Sequence, residues 1–112
     1  MSSGYVKRTT LFKIPEKNID LVLKQYEVLR KTAVKDGKPY IVSNVARRIT
    51  NTSSPLSEGF TISSQSVFRS KEDHDFYDKE CPAHAELKKV TGSVRTGIMT
   101  VVTEGEWPEP KL

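Results

Sequence analysis

The chain has 112 residues, 36% hydrophobic and 29% charged, and this balance predicts one soluble globular domain. The net charge of +4 is scattered, without an arginine-rich run or the aromatic-basic motif of an RNA-binding sheet, so nucleic-acid binding is not expected. The sequence lacks an apolar signal core and any stretch long enough to span a membrane, and its single cysteine cannot form an internal disulfide. The composition predicts a cytoplasmic protein that binds neither nucleic acid nor membranes.

The first half of the chain predicts a strand, a helix and a second strand, followed by a polar loop. A flexible start over 1–5 precedes a strand over 6–14, where β-branched and aromatic residues alternate. A helix opens at Pro15, carries an apolar stripe at steps of three and four, and is expected to close at Asp36-Gly37. A second strand is expected over 39–49, and the proline-containing loop over 50–58 is the segment most expected to move.

The second half predicts a strand, a broken helix, a strand and a tail. The strand over 59–68 is rich in hydroxyl side chains, which indicates either a wetted sheet face or the wall of a pocket. Ser70 is a typical helix cap, and Pro82 interrupts the helix expected over 71–90 and restarts it, because proline has no N–H to donate. A fourth strand is expected over 93–103, before a C-terminal tail over 105–112 that contains Trp107.

The stretch around the helix break contains both histidines and the cysteine. His84 would lie in the first turn after Pro82, where the positive end of the helix dipole disfavours imidazolium, so a neutral imidazole that accepts a proton is expected. Tyr77 on the preceding helix could donate a hydrogen bond to the same ligand. The alternative is structural: His84 packs in a helix corner, and Tyr77 fills the core.

The order strand, helix, strand, strand, helix, strand predicts a ferredoxin-like α+β fold, with an antiparallel sheet and helices on one face. In so short a chain, an apolar opposite sheet face is most simply covered by a second copy. We therefore expect a homodimer whose sheets pack face to face as a dimeric α+β barrel.

Several motifs together resemble the stress-responsive A/B barrel family, particularly its fungal members. They are RTTLFKIPE on the first strand, EGFT on the third, FRSKEDHDFYDKE on the broken helix and the Pro-Ala-His that ends at His84. The resemblance extends over residues 6–104, which we take as the domain. It implies the same dimeric α+β barrel and no cofactor.

A more distant resemblance is to olivetolic acid cyclase, a cofactor-free polyketide cyclase of that family with a catalytic His and Tyr. The matching positions here are His84 and Tyr77, with one extra residue in the spacer between them. Arg8, Ile62 and Cys81 stand where the cyclase has histidines, so a different substrate is expected. The pocket that the resemblance implies is lined by Arg8, Thr10, Phe12, Tyr26, Ile62 and Ser64.

Two functions follow as hypotheses. The first is a cofactor-independent cyclase or isomerase, in which His84 removes a proton from a polyketide-like or β-dicarbonyl metabolite and Tyr77 hydrogen-bonds the enolate. Arg8 would hold a carboxylate of the substrate, or it would be a surface arginine whose stem covers apolar neighbours. The second is a non-catalytic homodimeric stress-response protein that binds a small apolar ligand or none. No metal is expected, since His74 and its acidic neighbours fit an exposed helix face better than a ligand set.

Overall fold

The computed structural model describes residues 4–111, which form four strands and three helices. The elements are, in order, β1 Tyr5–Lys13, α1 Glu16–Thr32, β2 Ile41–Arg48, β3 Ile62–Phe68, α2 Lys71–Lys79, α3 Pro82–Val94 and β4 Gly97–Gly105. The strands form one antiparallel sheet in the order β2-β3-β1-β4. The ferredoxin-like α+β fold is therefore confirmed, with two helices in place of one between β3 and β4.

The register divides the sheet into two faces, because residues opposite each other on neighbouring strands point to the same side. On the helix face, Thr10 of β1 lies opposite Ser64 of β3 and Thr100 of β4. The other side, which we call the open face, carries the residues that alternate with these. On it, Thr9 lies opposite Gln65 and Val101.

The hydrophobic core lies between the helix face and the helices. Four residues of the α1 stripe are buried, at steps of three and four, because they pack on the sheet: Ile19, Val22, Tyr26 and Leu29. They meet core side chains from the strands and from α2 and α3, among them Phe12, Ile62, Phe68, Tyr77 and Leu87. The edge strand β4 has no helix over it, and Ile98 and Val102 on its helix face are 45% and 48% exposed.

The first helix ends earlier than expected. It stops at Thr32, where the Ala33 N–H bonds the Leu29 carbonyl, and not at Asp36-Gly37. Asp36 and Gly37 instead form a two-residue turn at φ of 52° and 76°, with Lys35 and Lys38 bridged on either side. An Asp-Gly pair is typical of such a turn as well as of a helix end, so local sequence alone did not separate the two.

The last helix continues further than expected. Residues 93–94, which were assigned to the fourth strand, belong to α3, and β4 begins at Gly97. Their β-branched surroundings favour a strand, but Leu87 and Thr91 are buried on one face of α3, and this packing outweighs propensity. The Ser93 hydroxyl donates a hydrogen bond to the Val90 carbonyl oxygen one turn earlier, which is typical of a serine within a helix.

The remaining boundaries differ by a few residues. β1 begins at Tyr5, and the rest of the flexible start expected over 1–5, apart from Gly4, lies outside the described residues, as does Leu112 of the tail. β2 is shorter than the range 39–49 and carries a bulge between Ile41 and Ser43. The 50–58 loop contains a short 3-10 turn, Pro55–Ser57, which is capped by the Ser54 hydroxyl because that oxygen accepts a hydrogen bond from the Leu56 N–H.

The open face carries exposed apolar side chains. The two edge strands of the sheet contribute these side chains, Val45 from β2 and Met99 and Val101 from β4. They are 40%, 44% and 49% exposed. The tail lies near one end of this sheet, where the Glu109 carboxylate pairs with the Lys7 ammonium. Of the helices within residues 4–111, none is both long and apolar enough to cross a membrane.

Candidate functional site

A cavity of about 60 Å³ lies between the helix face of the sheet and the corner of α2 and α3. We call it the His84 cavity. The residues that line it are Arg8, Thr10, Phe12, Tyr26, Ser64, Ser66, Tyr77, His84, Leu87, Lys88, Thr91 and Ile98. Its volume suits a few water molecules or one end of a small compound, since a water molecule occupies about 30 Å³ in the liquid.

The corner that forms this cavity follows from local sequence. The Ser70 hydroxyl accepts a hydrogen bond from the Asp73 N–H at 3.1 Å and starts α2, as expected. Cys81 is extended, with ψ of 116°, because the following proline excludes the helical region, and Pro82 is the first residue of α3. The break turns α3 so that His84 faces back towards Tyr77.

His84 is buried, neutral and held in one orientation. Its Nδ1 lies 2.7 Å from the Tyr77 carbonyl oxygen. That oxygen can only accept, so Nδ1 carries the proton. Burial is the main cause that lowers the pKa of His84 to about 4, with Arg8 and Lys88 acting in the same direction against the backbone hydrogen bond. Neutrality was predicted from the helix dipole, whereas desolvation is the larger cause.

The second ring nitrogen of His84 remains available as a base. Nε2 makes no hydrogen bond to any residue between 4 and 111, and it is not among the fully buried polar atoms that lack a partner. The Tyr77 hydroxyl likewise has no hydrogen-bond partner within residues 4–111, and Tyr77 lines the cavity. The side chains of a proton acceptor and a proton donor therefore both line the His84 cavity.

Tyr77 packs directly against His84. The two rings are stacked, with centroids 3.9 Å apart and planes at 17°. Burial raises the pKa of Tyr77 well above its ordinary value, and the Arg8 charge, 5.4 Å from the ring centroid, opposes this. The hydroxyl is therefore protonated at neutral pH, as a hydrogen-bond donor must be.

Arg8 is oriented by α2. Its Nη1 donates to Asp78 Oδ1 at 2.9 Å and to His74 Nε2 at 3.2 Å. Burial acts to raise the pKa of Asp78, but the hydrogen bond and charge of Arg8 outweigh it, so the pKa is lowered and the carboxylate is ionised. Arg8 is thus a fixed cation in the cavity wall, its side chain only 15% exposed.

Hydroxyl groups line the sheet side of the cavity. Asn44 Nδ2 donates to Ser64 at 3.2 Å and to Ser66 at 2.8 Å, and the hydroxyls of Thr10 and Thr100 lie 3.0 Å apart. Ser64 and Ser66 are 4% and 3% exposed. The hydroxyl-rich β3 therefore contributes to a pocket wall on its helix face, while Ser63 and Gln65 lie on the open face.

The structure brings seven of the eight candidate site residues into the His84 cavity. They are Arg8, Thr10, Phe12, Tyr26, Ser64, Tyr77 and His84. Ile62 does not belong with them: it is fully buried in the core, beside Phe12 at the far end of β3. The resemblance to the cyclase placed Ile62 in the pocket, but its side chain packs in the core.

Five lining residues were not anticipated: Ser66, Leu87, Lys88, Thr91 and Ile98. Three of them follow His84 at steps of three, four and seven, which is one face of a helix. That spacing was available in the sequence. Ile98 was not accessible in this way, because its place depends on where β4 begins.

The other reactive groups lie apart from the cavity. Within residues 4–111, no three His, Cys, Asp or Glu side chains gather as a metal site, and His74 accepts its hydrogen bond from Arg8. Cys81 is a buried free thiol in the core. The Tyr40 hydroxyl is buried without a hydrogen-bond partner among the described residues, and burial raises its pKa.

Comparison with known proteins establishes the family. The family model described as "Stress responsive A/B Barrel Domain" matches residues 6–102, and the chain belongs to this family. A relative from the fungus Gibberella zeae, described as a fusaristatin A biosynthesis cluster protein, is 39% identical over 98 residues, which are 86% of this chain and 70% of the relative.

Solved structures with the same fold include an enzyme and a dimer. A hydroxynitrile lyase from Passiflora edulis superposes with a TM-score of 0.73 at 18% identity, over 96% of this chain and 98% of that one. A protein of unknown function from Bacteroides fragilis, described as dimeric and ferredoxin-like, gives 0.70 at 19% identity, over 93% and 99%. At these identities the comparison shows the fold.

Proposed function

We propose that this protein is a cofactor-independent acid–base enzyme, a cyclase or isomerase that acts on a β-dicarbonyl or polyketide-like metabolite. One observation carries the proposal. His84 is neutral, its Nδ1–H is fixed on a backbone carbonyl, its Nε2 makes no hydrogen bond within residues 4–111, and it lines a cavity together with Tyr77. A fixed tautomer with one free nitrogen is what a general base requires.

The chemistry needs only these two groups. His84 Nε2 takes a proton from the carbon next to a carbonyl, so the C–H bond breaks, an N–H bond forms, and the electron pair moves to the carbonyl oxygen. The Tyr77 hydroxyl donates a hydrogen bond to that enolate oxygen. In an isomerisation the imidazolium returns the proton to another position. In a ring closure the enolate carbon attacks a second carbonyl, and the imidazolium protonates the new alkoxide.

The names of similar proteins support small-molecule chemistry. The Gibberella zeae relative is described by a biosynthesis cluster, and the Passiflora edulis protein of the same fold is a lyase. The volume of about 60 Å³ limits what enters. We therefore propose that only the reacting end of a longer metabolite occupies the His84 cavity, with the remainder towards the uncovered side of β4.

A homodimer belongs to the same proposal. The apolar residues on the open face, among them Met99 and Val101, would be covered by a second copy packed face to face. The dimeric neighbour from Bacteroides fragilis supports this arrangement.

The direct test is deuterium uptake at the α-carbon of methyl acetoacetate, followed by proton NMR. The measurement is made near pD 5.5, where His84 is still neutral but exchange by hydroxide is slow. We expect His84→Gln to lose roughly 100-fold or more of the enzymatic exchange and Tyr77→Phe to lose roughly 10-fold. Lys89→Gln, whose side chain pairs with Glu86 away from the cavity, is the control and should keep most of the exchange.

The alternative is a non-catalytic homodimeric stress-response or small-ligand-binding protein. The stacking of His84 on Tyr77 and its bond to the backbone favour such a structural role for the pair. In that case His84→Gln would lower the melting temperature and leave exchange unchanged. Full exchange in a folded His84→Gln protein would reject the enzymatic proposal.

A further inference from the structure

The wall of the His84 cavity is positively charged. Two of its residues, Arg8 and Lys88, carry a cation, and no lining residue within the described chain carries a carboxylate. Hydroxyl donors from Thr10, Ser64 and Tyr77 complete the polar part of the wall. Such a wall attracts an anion and repels a cation.

Arg8 has hydrogen-bonding capacity left for a ligand. Both of its bonds to α2, to Asp78 and to His74, use Nη1. Nη2 and Nε donate to no residue between 4 and 111. A guanidinium has five donors, and the planar pair that remains can hold a carboxylate through two parallel bonds. Asp78 fixes the position of the cation and leaves part of its charge to the cavity.

Lys88 lies at the mouth, one helical turn after His84. Within residues 4–111 its ammonium donates one hydrogen bond, to the Asp78 carbonyl oxygen at 3.4 Å, and it pairs with no carboxylate. Its neighbour Lys89 points elsewhere and pairs with Glu86 at 3.1 Å. Two adjacent lysines on α3 therefore differ in one respect: Lys88 faces the cavity, and Lys89 does not.

We infer that the His84 cavity recognises a carboxylate, and that Arg8 and Lys88 select an oxo acid over its neutral analogue. This inference deepens the proposed function and rests on it for the identity of the substrate's carbonyl group. The carboxylate binds the guanidinium edge of Arg8, and Lys88 guides it from the mouth. The carbonyl group of the same small molecule then lies towards Tyr77 and His84.

The test compares acetoacetate with its methyl ester, which share a carbon skeleton but differ in charge. Dissociation constants are measured by NMR titration of the ¹⁵N-labelled full chain at low salt. We expect acetoacetate to bind about tenfold tighter than the ester or better. Arg8→Gln should abolish the preference, whereas Arg8→Lys should keep part of it. Salt at about 0.5 M should weaken the contribution of the exposed Lys88 most.

Lys88 and Lys89 provide a matched pair of variants. Lys88→Gln should weaken acetoacetate binding roughly threefold without changing ester binding, and Lys89→Gln should change neither. Equal binding of acid and ester, binding of neither, or equal effects of the two lysine variants would overturn the inference.

The two proposals fail in different ways. If acid and ester bind equally while exchange still depends on His84, carboxylate recognition is wrong and the acid–base function stands. If acetoacetate is preferred through Arg8 and Lys88 while His84→Gln leaves exchange unchanged, the site is an anion-binding pocket and the catalytic function is wrong.

Discussion

The two faces of this sheet are built from the same four strands, yet they handle polar side chains in opposite ways. On the helix face the hydroxyls of Ser64 and Ser66 are buried and bonded to Asn44. On the open face Gln65 is exposed, and its amide reaches Thr9 only at 3.4 Å. Buried polar groups are costly unless they are bonded, and on the helix face the Asn44 amide supplies the bonds.

Apolar side chains show the reverse difference. The helix face buries its large residues, such as Phe12 and Phe68, beneath α1 and α2, whereas the open face leaves Val45, Met99 and Val101 in contact with solvent. The helix face is therefore largely covered within a single copy, apart from its β4 edge, and it contains the His84 cavity. The open face is left uncovered away from the C-terminal tail. We therefore propose chemistry for the first face and association for the second.

The largest effect should come from placing charge on the open face. In a symmetric dimer, Met99→Lys or Val101→Lys would each bury two ammonium groups in the proposed interface, one from each copy. This should weaken association because a buried unpaired charge costs several kcal/mol. We expect the dimer dissociation constant to rise at least about 100-fold, roughly 3 kcal/mol, by sedimentation equilibrium.

Leu56→Lys is the control for this experiment. Leu56 is 87% exposed in the 50–58 loop, so its replacement should leave association unchanged. A wild-type chain that stays monomeric at micromolar concentrations would contradict the face-to-face dimer.

A smaller effect should come from the pH dependence of the cavity. The unfolded chain protonates His84 near pH 6.5, whereas the folded chain does so only near 4. Between these values the unfolded state binds more protons, so stability is complete above 6.5 and falls as the pH drops towards 4. The groups that face His84 are Arg8 on β1, Asp78 on α2 and Lys88 on its own helix.

The expected size is up to roughly 3 kcal/mol, because one pKa unit corresponds to about 1.4 kcal/mol. Urea denaturation of wild type and His84→Gln at pH 4.5 and pH 7 measures it. The difference between the two proteins isolates His84, since Asp78, whose pKa is lowered by the hydrogen bond from Arg8, is present in both. A parallel pH dependence in the two proteins would mean that His84 is not held neutral by the fold.

Local signals in the sequence predicted the parts of the structure that are themselves local. Ser70 and Pro82 act through their own backbone groups, and the helix break appeared where they stand. The alternation of Arg8, Thr10 and Phe12 likewise placed them on one face. That these residues lie in one cavity with Tyr77 and His84 could be anticipated only from the family resemblance, because it depends on how α3 packs on β1.

What could not be predicted depends on tertiary packing. Asp36-Gly37 suits a helix end and a tight turn equally, and only the packing after Ala33 decides between them. The spacing from His84 puts Lys88, and not Lys89, on the same helix face, but only the packing of α3 on the sheet turns that face towards the cavity. The resemblance to the cyclase matches Ile62 to a pocket position, but a match of positions does not fix how deeply a side chain packs, and Ile62 lies in the core.

The smallest effect compares one amide on each face. Asn44→Ala removes the donor that serves Ser64 and Ser66, as well as the acceptor of Arg30, and should lower the free energy of unfolding by about 1–2 kcal/mol. Gln65→Ala removes a long, exposed contact and should change it by less than about 0.5 kcal/mol. Urea denaturation measures the free energy of unfolding of both variants, and the two values can be compared if the m-values are equal. Equal effects would remove the distinction between the faces, because the buried hydroxyls would then need no specific partner. A loss confined to Asn44→Ala would show that the polar wall of the His84 cavity is held in place by the fold.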